Sequence, residues 1–509
     1  MNTQSTSNPI SIYRVTVQSL TIALWAGSAM GVLAVGFLAG CGQDDGESPG
    51  PRIEWDECSE AEFQGSQCGT IPVPIDWSEP GGSTIELALV RRPADDSGAR
   101  IGTLFLNNGG GASSIEQLRL ALSLGVDLGD LATRFDLVAV DLRGIGQSAS
   151  VQCGRSQRSM GITYFPADQT AFDDMVRDNQ ALYAACREKT GPLLDHLDLE
   201  SMSRDLDAVR AALGEEQVSF YGIHLSTLLG RTYAGLFPGR LRLLALDTAL
   251  DDSASPRERV LRETRALEDS FGRFVSWCES TPPVPDTPDQ PGGGCALHGE
   301  AVAALFDETV LRAEKTPLPV SGGDPLTAED VRHAPQVQLV QTLAWPLFGS
   351  ALLQAAAGNA TLLTVNPDDT FDALQDHAIN CAITPPAASN FAELSELRDQ
   401  MHELAPHTGG ATVAFRTAAG CIGWSNRPDP DALSPVADPP PTLIVQSLHQ
   451  SLSHYDNAAG LSRQLPGSVV LSRDGDDYSM FLFSPCVAAD MSRFFTDLRL
   501  PKPSKICTD

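Results

Sequence analysis

Short apolar segments alternate with helical patterns between residues 58 and 252 of this 509-residue chain. The helical patterns place apolar residues at spacings of three and four, as at Leu206, Val209 and Leu213. Because such alternation is typical of a mainly parallel sheet covered by helices, it restricts the chain to an α/β fold. The predicted strands, including two near the chain end, are residues 85–90, 103–106, 135–140, 218–221, 243–246, 442–446 and 469–472.

The strand signal fades between residues 253 and 427, where helical segments dominate. We therefore predict an α/β core formed by residues 58–252 and 428–509, interrupted by a helical lid at 253–427. The core is expected to end in a helix near 487–498 and a disulfide-closed tail. The helices predicted in the lid are residues 257–278, 298–313, 326–331, 339–357, 371–379 and 391–404.

Residues 1–40 have the features of a signal peptide rather than of a folded domain. Residues 20–40 carry no charge and end in Leu38-Ala39-Gly40, directly before Cys41. This ending resembles the bacterial lipobox, which implies lipidation of Cys41 and a flexible tether over residues 41–57. An uncleaved membrane anchor is the alternative, since the stretch is long enough to span a bilayer. In either case the protein is exported, to the periplasm or cell surface of a bacterium, with the membrane as a partner through its N terminus.

Cysteine usage agrees with export. Setting Cys41 aside leaves ten of the eleven cysteines, an even number in an oxidising compartment. The sequence contains no C-x-x-C spacing, which would indicate a structural zinc site. Sequence cannot fix the connectivity, but pairing nearest neighbours predicts Cys58–Cys68, Cys153–Cys186, Cys278–Cys295, Cys381–Cys421 and Cys486–Cys507.

The formal net charge of −30 argues against a nucleic-acid partner, because an acidic surface repels phosphate backbones. The simplest consequence of this charge is solubility. No cofactor is predicted from the sequence.

Residues 221–226 have the pattern of a strand–turn–helix motif. An apolar run enters the turn at Gly222, and a helical pattern follows Leu225. This is the context of a nucleophile elbow, G-x-S-x-G. In this chain, however, the apex residue is His224, and Ser226 replaces the closing glycine.

Further motifs resemble those of secreted tripeptidyl and prolyl aminopeptidases in the α/β-hydrolase superfamily. Residues 141–148 resemble D-x-R-G-x-G-x-S, and residues 107–112 resemble the G-G-P-G oxyanion loop. Residues 233–238 resemble YA-x-x-FP, and residues 246–251 resemble LDGVVD. The resemblance covers residues 58–509 and implies an α/β-hydrolase fold with an inserted lid.

The resemblance also implies where a catalytic triad would lie. The serine position is His224, the acid position in segment 446–451 is Gln450, and the histidine position in segment 474–479 is Tyr478. All three residue types are substituted. The equivalents of the oxyanion-hole residues are Gly109, Gly110, Gly111 and Leu225.

These substitutions remove the chemistry of acyl transfer. Imidazole has no hydroxyl to attack a carbonyl, tyrosine with an ordinary pKa of about 10 is a poor base, and glutamine carries no charge. We therefore predict an inactive serine hydrolase that binds a peptide or small acyl ligand. The alternatives are a weak or metal-assisted hydrolase of the same family and a purely structural envelope protein.

A metal-assisted enzyme would need ligands near the elbow. His224, His449, His454, Asp476 and Asp477 all fall on loops at the carboxyl edge of the predicted sheet, and imidazole with carboxylate can bind zinc or iron. No H-x-x-H spacing supports such a site, so ordinary polar roles are favoured. Two nearby serines, Ser148 and Ser226, are interpreted as loop or helix-start hydroxyls, not as nucleophiles.

Overall fold

A ten-stranded mixed sheet organises the computed structural model, which describes residues 52–109, 111–154, 163–284, 293–364, 373–425 and 435–509. The strands are β1 (Glu54–Glu57), β2 (Gln67–Pro74), β3 (Thr84–Arg92), β4 (Gly102–Asn107), β5 (Phe135–Val140), β6 (Val218–Ile223), β7 (Leu241–Asp247), β8 (Thr442–Ser447), β9 (Val469–Arg473) and β10 (Ile506–Cys507).

The sheet order is β1-β2-β3-β5-β4-β6-β7-β8-β9-β10. The first three pairings, from β1 to β5, are antiparallel, and all the others are parallel. Every residue of β5, β6 and β8 is buried, because helices cover both faces of the centre of the sheet. The predicted α/β-hydrolase architecture and the seven predicted strands are confirmed as β3 to β9.

Among the described residues before 252, five α-helices accompany the strands. They pack on the sheet through apolar stripes, and Leu206 and Val209 of α4, from the predicted helical pattern, are fully buried. The helices are α1 (Ser114–Ser123), α2 (Gly129–Arg134), α3 (Gln169–Thr190), α4 (Leu199–Ala212) and α5 (Leu225–Leu236).

Between β7 and β8, which are neighbours in the sheet, the chain forms a helical segment that we call the insertion. Part of it has its own apolar core, built around Phe271, Phe274, Phe306 and Phe348. The helices of the insertion are α6 (Pro256–Ser280), α7 (Val302–Lys315), α8 (Ala328–Gln338), α9 (Trp345–Ala356), α10 (Ala373–Ile383), α11 (Phe391–Leu404) and α12 (Val413–Gly420).

Two predicted helices of the insertion differ from the structure by more than four residues at one end. The helix predicted at 326–331 extends to Gln338, across Pro335. The one predicted at 339–357 begins only at Trp345, because Pro346 occupies its first turn, where a missing N–H is tolerated. Residues 340–342 are therefore released from the helix and contact the sheet edge instead.

After β8 come α13 (Asp456–Gln464), α14 (Met480–Phe483) and α15 (Pro485–Asp497), with β9 and β10 alongside. The helix predicted near 487–498 is confirmed as α15. Its buried face, with Met491, Phe494 and Phe495, packs in the apolar layer that also contains Tyr221 and Leu443.

All five predicted disulfides are present. Cys41, the rest of the predicted signal peptide and most of the tether lie outside the described residues. Within the part of the chain that the structure describes, no helix combines the length and apolar character needed to cross a membrane.

A buried ion pair joins the D-x-R-G turn to α4. Arg143 Nη2 lies 2.6 Å from Asp205 Oδ1 and Nε lies 2.7 Å from Oδ2, and both side chains are fully buried. Trp77 Nε1 also donates to Asp205 at 2.9 Å. Both hydrogen bonds between the guanidinium and the carboxylate are formed. Removing either charge would therefore leave the other buried without its partner.

We expect Asp205→Asn to lower the free energy of unfolding by about 3–5 kcal/mol, measured by urea denaturation. The matched control is Glu200→Gln on the same helix, which breaks an exposed pair with Arg204 and is expected to change stability by less than about 1 kcal/mol. A loss below about 1 kcal/mol for Asp205→Asn would contradict the prediction.

Candidate active site

His224 occupies the sharp turn between β6 and α5, as the elbow motif predicts. Its backbone has φ 54° and ψ −115°, a region that few residues other than glycine adopt. The His224 N–H donates to the Asp247 carbonyl at 2.9 Å, and its carbonyl accepts from Thr227 N–H at 2.8 Å. The turn is therefore held from both sides.

Two small residues permit this turn. A Cβ on Gly222 would lie 2.5 Å from the Phe220 ring and 2.7 Å from the Ser226 carbonyl, so only glycine fits there. Ser226, in place of the second glycine, is buried and bonds through its hydroxyl to the Asn107 side chain. Ser226 is thus a helix-start hydroxyl, as predicted.

Ser148 is likewise structural, since its hydroxyl donates to the Asp141 carbonyl at 2.6 Å.

The His224 imidazole is neutral at ordinary pH. Desolvation of the half-buried ring lowers its pKa to about 4, and a hydrogen bond with the backbone of Leu452 opposes the shift. The ring therefore offers a neutral donor and acceptor above about pH 5.

Gln450 lies on the loop after β8 and is 1% exposed. Its Oε1 accepts from the N–H groups of Leu452 at 2.5 Å and Ser453 at 2.9 Å. Its Nε2 is buried and has no hydrogen-bond partner among the residues that the structure describes. The His224 ring bonds to the backbone of Leu452. Gln450 and His224 therefore contact the same short loop.

Tyr478 follows β9, and its ring centroid lies 6.3 Å from that of His224. Its hydroxyl lies 3.4 Å from Asn108 Oδ1, on the glycine loop. The structure therefore brings together the three positions at which the sequence predicts a substituted triad.

The glycine loop after β4 packs against the elbow. Gly109 has φ 68°, and a Cβ there would lie 2.5 Å from Ser226 N and 3.0 Å from the Leu225 Cβ. Gly111 N–H donates to a carboxylate oxygen of Asp376 in α10 at 3.1 Å. Gly110, the remaining predicted loop residue, lies outside the described residues.

The insertion also contacts the site through residues 340–342, which sequence analysis did not single out. Tyr478 N–H donates to the Val340 carbonyl at 3.0 Å, and Gln341 Nε2 donates to the Tyr478 carbonyl at 3.2 Å. The N–H and hydroxyl of Thr342 donate to Asp477 Oδ1 at 2.7 and 2.8 Å. We call this set of bonds the insertion contact.

The proposed metal ligands do not converge. His449 bonds to Asp269 at 2.7 Å, at the surface of the insertion. Asp477 is bound by Thr342 and by Arg473 at 2.6 Å. The other two loop residues also pair elsewhere, His454 with Asp456 at 3.5 Å and Asp476 with Arg273 at 2.6 Å. The loops share one edge of the sheet, but their side chains point to separate partners.

Among the described residues, two groups have metal-type ligands within mutual reach, and the cysteines of both are disulfide-bonded. Neither group includes the three residues of the predicted metal site, His224, His449 and Asp477. Among the described residues, these three are therefore not placed within the mutual reach that a shared metal ion needs.

A groove of about 760 Å³ lies between α6 and the outer side of the insertion contact. Its walls include Trp277, Trp345 and the ion pair of Arg273 with Asp476. None of the three predicted triad positions lines it. The groove is therefore separate from the candidate site.

Residues 102–482 match the family model of the alpha/beta hydrolase fold. Together with the parallel sheet, the elbow and the glycine loop, this match shows that the chain belongs to the α/β-hydrolase family.

Within that family, the relatives to which the chain is similar include a protein of the aminopeptidase group that the sequence motifs resemble. The chain is 28% identical to serine protease Hip1 of Mycobacterium tuberculosis, with 85% of this chain and 86% of the relative covered. It is 28% identical to carboxylesterase B of the same species, with 93% and 95% covered. It is 27% identical to tripeptidyl aminopeptidase of Streptomyces coelicolor, with 86% and 82% covered.

The neutral state of His224 predicts a loss of stability in acid. The unfolded chain binds this proton near pH 6.5 and the folded chain only near pH 4, so stability falls as pH drops through that window. Burial also lowers the pKa of His333 to about 3 and of His377 to about 4, which adds to the trend. We expect His224→Gln to reduce the fall in Tm between pH 7.5 and 5, by the equivalent of at most about 2 kcal/mol.

The control for this measurement is His298→Gln, at an exposed position of the insertion, which should keep the wild-type fall in Tm. An unchanged fall in Tm for His224→Gln would show that the ring is not held neutral by the fold.

Proposed function

We propose that this protein is an exported α/β-hydrolase-fold protein that binds a peptide or small acyl ligand and does not hydrolyse it. The observation that carries the proposal is a neutral imidazole, that of His224, at the strained apex of a complete elbow. A serine at this apex attacks the substrate carbonyl in enzymes with this fold.

The two helper positions support the same conclusion. Gln450 has no charge with which to stabilise an imidazolium, and its Oε1 is already occupied by two backbone N–H groups. Tyr478 provides a phenol where a base with a pKa near 7 is needed. In a well-studied serine protease, removing all three triad residues lowers the turnover number by a factor on the order of 10⁶.

The surrounding structure supports a role in binding. The turn at His224 is strained, and such conformations persist only where neighbouring contacts enforce them, typically at about 1–3 kcal/mol each. Gly222, Gly109 and the insertion contact all preserve the geometry around it. The names of two relatives, a serine protease and a tripeptidyl aminopeptidase, favour a peptide as the ligand.

Export and anchoring complete the proposal. Five disulfides suit an oxidising compartment outside the cytoplasm. The uncharged stretch before Cys41 supports a lipidated N terminus that holds the protein at the bacterial membrane, in the periplasm or at the cell surface. Globomycin, which blocks lipoprotein signal cleavage, would test this part by trapping an unprocessed precursor.

The purified domain from residue 50 onward should show no turnover of tripeptidyl p-nitroanilides or p-nitrophenyl esters. The triple reversion His224→Ser, Gln450→Asp, Tyr478→His should raise turnover at least about 10³-fold and should become labelled by a fluorophosphonate, since the hydroxyl, base and acid are then present. Near-UV circular dichroism and Tm verify that each variant is folded.

The matched control is the double variant Gln450→Asp, Tyr478→His, which retains His224 and should stay unlabelled. Wild-type turnover that disappears in His224→Ala would contradict the proposal, because it would make His224 itself a working catalytic group.

A further inference from the structure

The groove beside the insertion contact is open to solvent along one face of α6. Its volume of about 760 Å³ falls within the range of about 300–1,000 Å³ that is usual for sites that bind small molecules. Asp269, Gly272 and Ser276 are exposed on this face, so a ligand in solution can reach it. The residues that α6 contributes recur at spacings of three and four, and they include Arg265, Asp269, Gly272, Arg273, Ser276 and Trp277.

Gly272 lies in the middle of this face without a packing reason. It is an exposed helical glycine, and a Cβ added to it would have no atom of the described residues within 4 Å beyond its own helical turns. Glycine inside a helix destabilises the fold relative to alanine, because it loses more conformational freedom on folding. A glycine that packing does not require therefore indicates that the space over α6 has another use.

The indole of Trp277 forms the apolar part of the groove. The ring is half-buried, and the buried ring of Trp345 supports it edge-on, with 5.5 Å between centroids and 71° between planes. Phe274 contacts both rings at centroid distances of 6.0 Å. Trp277 is therefore a rigid platform, and a rigid aromatic surface can bind a ligand at a low cost in conformational entropy.

The charged groups of the groove are mostly paired within the protein. Arg273 donates to Asp476 through Nε at 2.6 Å and through Nη2 at 2.8 Å, and Asp269 Oδ2 bonds to His449 Nδ1 at 2.7 Å. Glu268 accepts from two backbone N–H groups. A charged ligand would compete with these pairs, whereas a neutral ligand leaves them intact.

The same pairs leave hydrogen-bonding capacity at their outer atoms. Among the described residues, no bond joins Arg273 Nη1 or Asp269 Oδ1 to another residue, so the groove offers a donor and an acceptor. The hydroxyl of Ser276, which donates to the Gly272 carbonyl at 3.0 Å, is a further acceptor. Hydroxyl groups suit this set, because each can donate to one atom and accept from another.

We propose that the groove binds a neutral oligosaccharide, with one sugar ring on the Trp277 indole and its hydroxyls bonded to Arg273 Nη1 and Asp269 Oδ1. A sugar ring combines an apolar face of C–H groups with a rim of hydroxyls, and Gly272 leaves room for the adjoining ring. The inference does not depend on the proposed function, because none of the three triad positions lines the groove.

Calorimetry tests the inference with the full chain, purified in a detergent that has no sugar headgroup. The probes are cellotetraose, maltotetraose, mannotetraose and chitotetraose. Co-sedimentation with insoluble cellulose and chitin distinguishes a polysaccharide from a free oligosaccharide as the source of the ligand. We expect wild type to bind at least one of these sugars, with a shift in tryptophan fluorescence on binding.

Two variants connect such binding to the groove. Gly272→Leu fills the space over α6 and should weaken binding at least about tenfold, while Tm stays equal or rises because leucine is the better helix former. Trp277→Ala should also weaken binding about tenfold, and Trp277→Phe by less. Near-UV circular dichroism verifies that each variant is folded.

The matched control is Gly235→Leu. Gly235 is an exposed helical glycine of α5 that does not line the groove, and a Cβ there would make only an ordinary contact, 3.8 Å from Val436. This variant should bind the sugar as wild type does.

The inference is overturned if none of the tetrasaccharides or polysaccharides binds. It is also overturned if Gly272→Leu and Trp277→Ala bind the sugar as tightly as wild type. A capped neutral tetrapeptide that binds where the sugars do not, with the same dependence on Gly272, would make the groove a peptide site instead. Peptide turnover by wild type would contradict the proposed function alone and leave this inference standing.

Discussion

The left-handed turn at His224 is the constraint on which the rest of the site depends. The strand β6 and the helix α5 can meet at this angle only because Gly222 leaves room for the Ser226 carbonyl. The turn directs the residue-224 side chain out of the sheet, whatever that side chain is. The turn that presents a serine hydroxyl in the G-x-S-x-G motif presents the His224 imidazole in this chain. The loop at 450–453 and the glycine loop still pack around it.

Much of this fold can be predicted from sequence because its central strands are short, mainly apolar segments, as in β5 and β6. The edge strands cannot be predicted in this way, because β1 is charged, β2 contains prolines and a glycine, and β10 has only two residues. The elbow is predictable because Gly222 and the flanking patterns are local. Disulfide pairing is predictable because each cysteine bonds to its neighbour in the chain.

The remaining parts of the site depend on tertiary placement. Gln341 and Asp376 lie far along the chain from the residues they contact, and no local pattern marks them. The three candidate metal ligands have separate partners for a related reason. Topology places His224, His449 and Asp477 at one edge of the sheet, but the direction of each side chain is set by its partner, and those partners are Leu452, Asp269 and Thr342.

The hydrogen bonds that join residues 340–342 to residues 477–478 have a kinetic consequence. A ligand that enters between these segments must wait until they separate, so its association rate is limited by the fraction of molecules that are open. The measured Kd then exceeds the intrinsic one by the inverse of that fraction. Once the segments close again over the ligand, the same bonds oppose its escape. With the peptide or small acyl ligand proposed above, such a protein would exchange it slowly in both directions, which suits retention more than rapid sampling.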